Sequence, residues 1–204
     1  MSEATGEPRG AHPQRSARLE RNTKETRITL AVELDRHGTV RIDTPVPFFS
    51  HMLEAMAFHG RFGLQVQARG DVEVDPHHLV EDVGLVLGDC LREARNGSAV
   101  ERFGAALVPM DDALSEVVID VGGRPYLHYD ARYPQYLVGT FDVALVREFL
   151  LATAMHARIN LHATVRHGVN THHMVEALFK ALGRALAAAY APSGAAMSTK
   201  GRID

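Results

Sequence analysis

The pattern His-His-x-x-Glu occurs twice in the chain, as His77-His78-Leu79-Val80-Glu81 and as His172-His173-Met174-Val175-Glu176. Imidazole and carboxylate side chains together are metal-ligating groups. On a helix, positions three and four apart share a face, so Glu81 can converge with His77 or His78. Adjacent residues diverge by about 100°, so the two histidines of a pair are poorly placed to hold one ion together. The simplest use of each pair is to serve two different ions. The second copy should do the same reciprocally. That predicts two similar metal sites, each drawing on both halves of the chain or on equivalent halves of neighbouring subunits. One such pair alone is usually a cap or a solvated surface feature. Two copies with Glu at the same offset are hard to explain by fold alone. Ligands of this type suit Mn, Fe, Zn, Co or Ni, and disfavour Ca and Mg.

The elements around these motifs repeat as well. His51 to His59 spans 8 residues, as does Glu148 to His156. The offset between halves is 97 at these segments and 95 at the His-His pairs, so a two-residue deletion reconciles them. A nearly fixed offset over this many landmarks predicts an internal duplication. In the first half, Arg27–Leu34 alternates as a strand and is expected to turn at Arg36-His37-Gly38 into Thr39–Ile42 as a hairpin. Ser50 is the expected N-cap of a helix running to His59. Leu64–Ala68 and Val72–Val74 read as a second hairpin around Arg69-Gly70-Asp71. The apolar residues from His77 to Ala94 suit a largely buried helix, and Arg95-Asn96-Gly97-Ser98 reads as a linker. In the second half, Leu114–Asp120 and Arg124–Asp130 are expected as a hairpin, followed by a helix over Phe141–His156. Ile159–Val165 reads as a strand and His172–Ala189 as a long helix. The expected class is α+β, with a duplicated sheet unit and helices packed on one face of each sheet. The expected divisions are a disordered leader over 1–21, repeats over 22–96 and 97–191, and a C-terminal tail over 192–204.

Composition narrows the function classes. The 204 residues are 46% hydrophobic and 23% charged, with a net charge of −3, so nothing electrostatic favours a nucleic-acid partner. No apolar run approaches a membrane span, and the Arg-containing first 20 residues lack the apolar core of a secretory signal. A cytoplasmic protein is expected. Cys90 is the only cysteine, which excludes a disulfide framework and a thiolate metal cluster. Against 12 His there are three Lys and no Trp. His12, His37, His128, His162 and His167 have no repeat partner and read as surface or core residues. His156, in the repeat position of His59, reads as structural.

Several segments resemble imidazoleglycerol-phosphate dehydratase: Phe49-Ser50-His51-Met52-Leu53 with His59-Gly60, His77 to Asp82, Arg102-Phe103-Gly104, Gly123-Arg124-Pro125-Tyr126 and His172 to Ala177. The resemblance runs from about Thr23 to Gly201. It implies removal of water from imidazole glycerol phosphate to give imidazole acetol phosphate, in histidine biosynthesis. It further implies two manganese ions per site, a fold of the ribosomal S5 domain 2-like kind, and a homo-oligomeric shell of 24 subunits with sites between neighbours. Carried over residue by residue, one metal would be held by His51, His78, Glu81 and His172. The other would be held by His77, Glu148, His173 and Glu176. Family members carry either His or Glu at the position of Glu148, and either can ligate.

The same resemblance implies the rest of the site. Glu25 matches a substrate-contacting Glu and is the candidate base, with Glu81 and Glu176 as the other catalytic carboxylates. His51, His59, His77 and His78 are expected to line the bound substrate. Arg102, Arg124 and Lys180 are the expected phosphate ligands. The tail Ser198-Thr199-Lys200-Gly201 resembles the family's Ser-Ser-Lys-Gly and is expected to cover the substrate. Two other classes compete on the residues alone. A dinuclear metallohydrolase would carry a bridging carboxylate and release phosphate. A ferritin-like storage shell would place Glu-x-x-His on four long helices with no strands between them.

Overall fold

A computed structural model describes residues 15–35 and 38–194. The elements run β1 (Ser16–Asn22), β2 (Thr26–Glu33), β3 (Val40–Asp43), α1 (Pro47–Gly60), β4 (Gly63–Gly70), α2 (His77–Arg95), β5 (Phe103–Met110), β6 (Ala113–Asp120), β7 (Tyr126–Asp130), β8 (Leu137–Val138), β9 (Phe141–Asp142), α3 (Ala144–Ala157), β10 (Asn160–His167) and α4 (Thr171–Ala189). Two four-stranded sheets have the orders β1-β2-β4-β3 and β5-β6-β10-β7, which is one topology used twice. In each, the first two pairings are antiparallel and the last is parallel. The parallel pairs are β3 with β4 and β7 with β10, joined across α1 and α3. The expected α+β class with a doubled sheet-and-helix unit is what the chain forms.

Alternation explains which face of each sheet meets the helices. Thr26, Ile28, Leu30 and Val32 of β2 are buried, as are Ala113, Ser115, Val117 and Ile119 of β6. Onto those faces pack α2, against β1 and β2, and α4, against β5 and β6. The shorter helices then cross between halves: α1 packs on α4 and α3 packs on α2. At the centre Phe49 meets Phe141 and Phe149, and Phe149 stacks on Phe179 at 5.5 Å between ring centroids. Such aromatic pairs contribute about 0.5–1.5 kcal/mol each beyond area burial. Among the described residues no helix is long and apolar enough to cross a membrane.

The α1–α4 approach depends on Gly183. A Cβ there would lie 2.0 Å from the Met56 carbonyl oxygen, on backbone that cannot swing aside. An exposed helical Gly→Ala change gains roughly 1 kcal/mol, but overpacking of this kind costs about 1–3 kcal/mol or more. Gly183→Ala is therefore expected to lower the denaturant midpoint; an unchanged or raised midpoint would contradict the close packing.

Several local expectations are corrected. Thr39–Ile42 does not form a hairpin with Arg27–Leu34, because β3 pairs with β4, and β2 lies between β1 and β4. Arg36 and His37 of that expected turn lie outside the described residues. Val72–Val74 is a turn, with Val74 N–H donating to Asp71 O at 2.8 Å. The segment read as a leader contains β1, an edge strand whose Ala17 and Leu19 are only half-buried, so its apolar signal is weak. Arg124–Asp130 does not pair with Leu114–Asp120; β10 separates β6 from β7. The strand β5, absent from the expected elements, carries Pro109 at a sheet edge, where a missing N–H is tolerated. Helix α1 begins at Pro47 rather than after Ser50, since Pro is suited to the first helical turn. Phe141 and Asp142 belong to β9, so α3 begins three residues later than expected.

Candidate metal centre

The crossed helix packing decides which ligands meet. His51, in the second turn of α1, faces the first two turns of α4, which carry His172 and Glu176. The Nε2 atoms of His51 and His172 lie 3.4 and 3.1 Å from Glu176 Oε2. Ligand atoms of these three residues all fall within 4.8 Å of one another. Two imidazoles and one carboxylate are a donor set suited to a first-row divalent metal. Phe48 packs edge-on against the His172 ring at 5.1 Å, which limits its rotation. Asn170 caps α4 by accepting from His172 N–H at 3.0 Å.

Glu176 is buried, yet its carboxyl stays below the usual range. Burial pushes it up, but the hydrogen bond and charge of Lys180, with a contribution from His51, outweigh that. Lys180 sits one turn along α4, with Nζ 2.9 Å from Glu176 Oε1. These residues open onto a cavity of about 400 Å³ whose lining includes His51, Glu54, His59, Glu176 and Lys180. Partial desolvation, with the charges of Lys180 and Arg184, holds His59 below the ordinary imidazole range.

Among the described residues, the repeat counterparts in the other half form no such three-residue group. His77 Nε2 lies 3.7 Å from Glu81 Oε2 on α2. Glu148 is on α3, the helix packed against α2, and its Oε1 accepts from Arg147 Nη1 at 3.0 Å. The rings within each His-His pair are nearly perpendicular, at 89° for His77 and His78 and 78° for His172 and His173. Adjacent histidines thus diverge, as helix geometry requires.

The grouping within the chain differs from the sets that the resemblance implies. Glu176, expected beside His77, Glu148 and His173, lies with His51 and His172. Glu81, expected with His51 and His172, sits next to His77. The reason is local: His172 and Glu176, like His77 and Glu81, are four residues apart on one helix and share a face.

The remaining expected site residues fall as follows. Glu25, in the β1–β2 turn, has Oε2 3.8 Å from His78 Nδ1. Arg102 has a positive φ of 71° and makes a two-pronged ion pair with Asp120, at 2.7 and 3.0 Å. That pair lies against the Gly122-Gly123 turn; a Cβ on Gly122 would meet both Asp120 oxygens at 2.9 Å. Arg124 follows this turn and is exposed. Ser198, Thr199 and Lys200 lie outside the described residues. His156, read as structural, bonds Asp89 at 3.1 Å. The Cys90 thiol is pushed up to about 12 by burial, which removes it as a nucleophile.

Two residues escaped the sequence reading. Asp71 accepts from His78 Nδ1 at 3.2 Å, and this bond raises the His78 pKa. Asp112 accepts from His173 Nδ1 at 2.7 Å and from the Val169 and Asn170 N–H groups, which together hold its carboxyl far below the usual range. No spacing signal reveals a contact between residues 112 and 173, which only the β5–β6 turn brings together. The seven-residue step from Asp71 to His78 across a turn is the one local hint.

Comparison with known proteins bears on the family. The family model for imidazoleglycerol-phosphate dehydratase matches residues 44–186. An imidazoleglycerol-phosphate dehydratase of Lacticaseibacillus casei is 51% identical over 178 residues, covering 87% of this chain and 92% of its own. Among solved structures, the imidazoleglycerol-phosphate dehydratase of Staphylococcus aureus superposes with a TM-score of 0.80 at 37% identity, over 87% of this chain and 99% of its own. The Pyrococcus furiosus enzyme, solved in complex with (S)-C348, gives a TM-score of 0.81 at 38% identity, over 91% of this chain and 100% of its own.

Proposed function

The chain belongs to the imidazoleglycerol-phosphate dehydratase family, and on that premise we propose that it works through two manganese ions held between subunits. The reaction follows from the family: imidazole glycerol phosphate loses water to give imidazole acetol phosphate, a step of histidine biosynthesis. The observation that carries the metal reading is the convergence of His51, His172 and Glu176. One ion would take these three ligands with His78 of the partner subunit. The other would take His77, Glu81 and Glu148 with His173 of the partner subunit. The repeat offset supports the second set, because it maps His51 onto Glu148, His172 onto His77, and Glu176 onto Glu81.

When bound, the ions supply Lewis acidity and a template for the imidazole ring. The chain's own residues do the rest. The C2 proton of the substrate has no neighbouring carbonyl to acidify it, so a positioned base must take it while the C3 hydroxyl departs. Glu25 is that base: its side chain is 55% exposed and its backbone N–H is fixed by Thr23 Oγ1 at 3.1 Å. The enol so formed becomes the ketone. His51, His59, His77 and His78 line the ring. Arg102, Arg124 and Lys180 bind the phosphate, with Ser198, Thr199 and Lys200 as further substrate-binding residues. The family resemblance implies a homo-oligomer of 24 subunits, and such assembly would cover exposed apolar side chains, including Phe103, Leu107 and Val169. The biosynthetic role supports a cytoplasmic setting.

The test combines elemental analysis with assay of the ketone before and after chelation. Stripping the metal is expected to abolish ketone formation, and Mn²⁺ to restore it. Full activity of metal-free protein would refute the reading. Release of inorganic phosphate in place of ketone would point to a metallohydrolase.

A further inference from the structure

His78 and His173 stand outside the His51–His172–Glu176 cluster, yet each has an aspartate at Nδ1; in addition His173 Nε2 lies 3.4 Å from Asn170 Nδ2 and 3.6 Å from Asp111 Oδ2, an acidic group beside the proposed ligand atom. Asp71, between β4 and α2, approaches His78 Nδ1 with both oxygens, at 3.2 and 3.3 Å. Asp112, between β5 and β6, approaches His173 Nδ1 at 2.7 Å. Duplication relates Asp112 to Glu25, which lies 3.8 Å from His78 Nδ1, and not to Asp71. The repeat offset of 97 carries Asp71 onto Gly168, which has no carboxylate, and the two aspartates occupy turns at different points of the topology. The same bond is reached from two different places in the fold.

We infer that Asp71 and Asp112 are positioning residues that fix the tautomer and orientation of His78 and His173, so that each presents Nε2 to a divalent cation. This rests on the ligand reading above. A neutral imidazole has one N–H and one lone pair. Nδ1–H given to a carboxylate leaves the lone pair on Nε2, the form a metal requires. The carboxylate also raises the basicity of the ring as a ligand. An ordinary surface ion pair would have no such consequence, because it needs neither a particular ring nitrogen nor a fixed ring plane.

The two aspartates differ in what else they hold. Asp112 Oδ2 accepts from Val169 N–H and Asn170 N–H at 2.6 and 2.9 Å, which ties down the entry to α4. Removing it would disturb the helix start as well as the histidine. Asp71 therefore provides the cleaner test, and Asp112→Asn, which keeps acceptor oxygen at the site, provides the second.

The full-length chain, stripped of metal, is titrated with Mn²⁺, and the free ion is followed by its electron paramagnetic resonance signal. Asp71→Ala is expected to weaken one class of site by roughly 10–100-fold, without a change in the denaturant midpoint of the metal-free protein. Asp71→Asn, whose amide oxygen still accepts Nδ1–H, is expected to recover part of that loss. Asp112→Asn should weaken the other class. His78→Ala serves as the reference for complete loss of the ligand. Wild-type affinity in Asp71→Ala alongside a lost ion in His78→Ala would overturn this inference alone. Full metal binding in His78→Ala would overturn the ligand assignment and this inference with it.

Discussion

His172→Ala is expected to lower the rate of dehydration by on the order of 10³-fold or more. The residue is the centre of the one three-ligand cluster among the described residues, and its Nε2 sits 3.1 Å from Glu176. Its loss leaves His51 and Glu176 as the only ligands of that ion within the chain. A bound metal contributes several kcal/mol of transition-state stabilisation, and each 1.36 kcal/mol is a factor of ten in rate. Metal content should fall by one ion per subunit while the fold persists, because the ring is half-exposed and packs on Phe48 rather than filling the core. His156→Ala offers a matched control, since that imidazole sits on Asp89 outside the site. A His172→Ala protein that retains both ions and turns over within tenfold of wild type would overturn the assignment.

The second large effect is expected at Glu25. Glu25→Gln keeps size and shape but cannot accept the C2 proton, and loss of a general base typically costs 10²–10⁴-fold. The fall should appear in kcat, with metal content unchanged. The base reading would not survive a kcat within about threefold of wild type. If manganese were lost together with activity, Glu25 would be acting through His78, which it approaches to 3.8 Å, and not on the substrate.

The parts of this fold that are legible in sequence are those with local causes. Helices α2 and α4 announce themselves by apolar periodicity over 19 residues each, with an αL Asn96 closing the first and an Asn170 cap opening the second. Strand pairing is another matter. Whether β3 joins β2 or β4 depends on α1 carrying the chain across the sheet, and no residue in Val40–Asp43 encodes that. Edge strands are also faint: β1 reads Ser-Ala-Arg-Leu-Glu-Arg-Asn, with only two half-buried apolar side chains.

The site divides along the same line. The doubled motif identified the histidines and glutamates as a set, and helix geometry kept adjacent histidines apart. Helix geometry left each glutamate open to either histidine of its pair, and the folded chain places Glu176 beside His172 and Glu81 beside His77. The aspartates behind His78 and His173 required the folded chain, since Asp112 and His173 are 61 residues apart.

Each ion is expected to take a histidine and a glutamate four residues apart on one helix, plus one ligand from the short helix packed against it. Anomalous diffraction at the manganese edge, from crystals of the metal-loaded protein, locates the ions. One peak is expected within bonding distance of His51, His172 and Glu176, and another within bonding distance of His77, Glu81 and Glu148. A peak that joins Glu176 to His77 and Glu148, or Glu81 to His51 and His172, would contradict this arrangement.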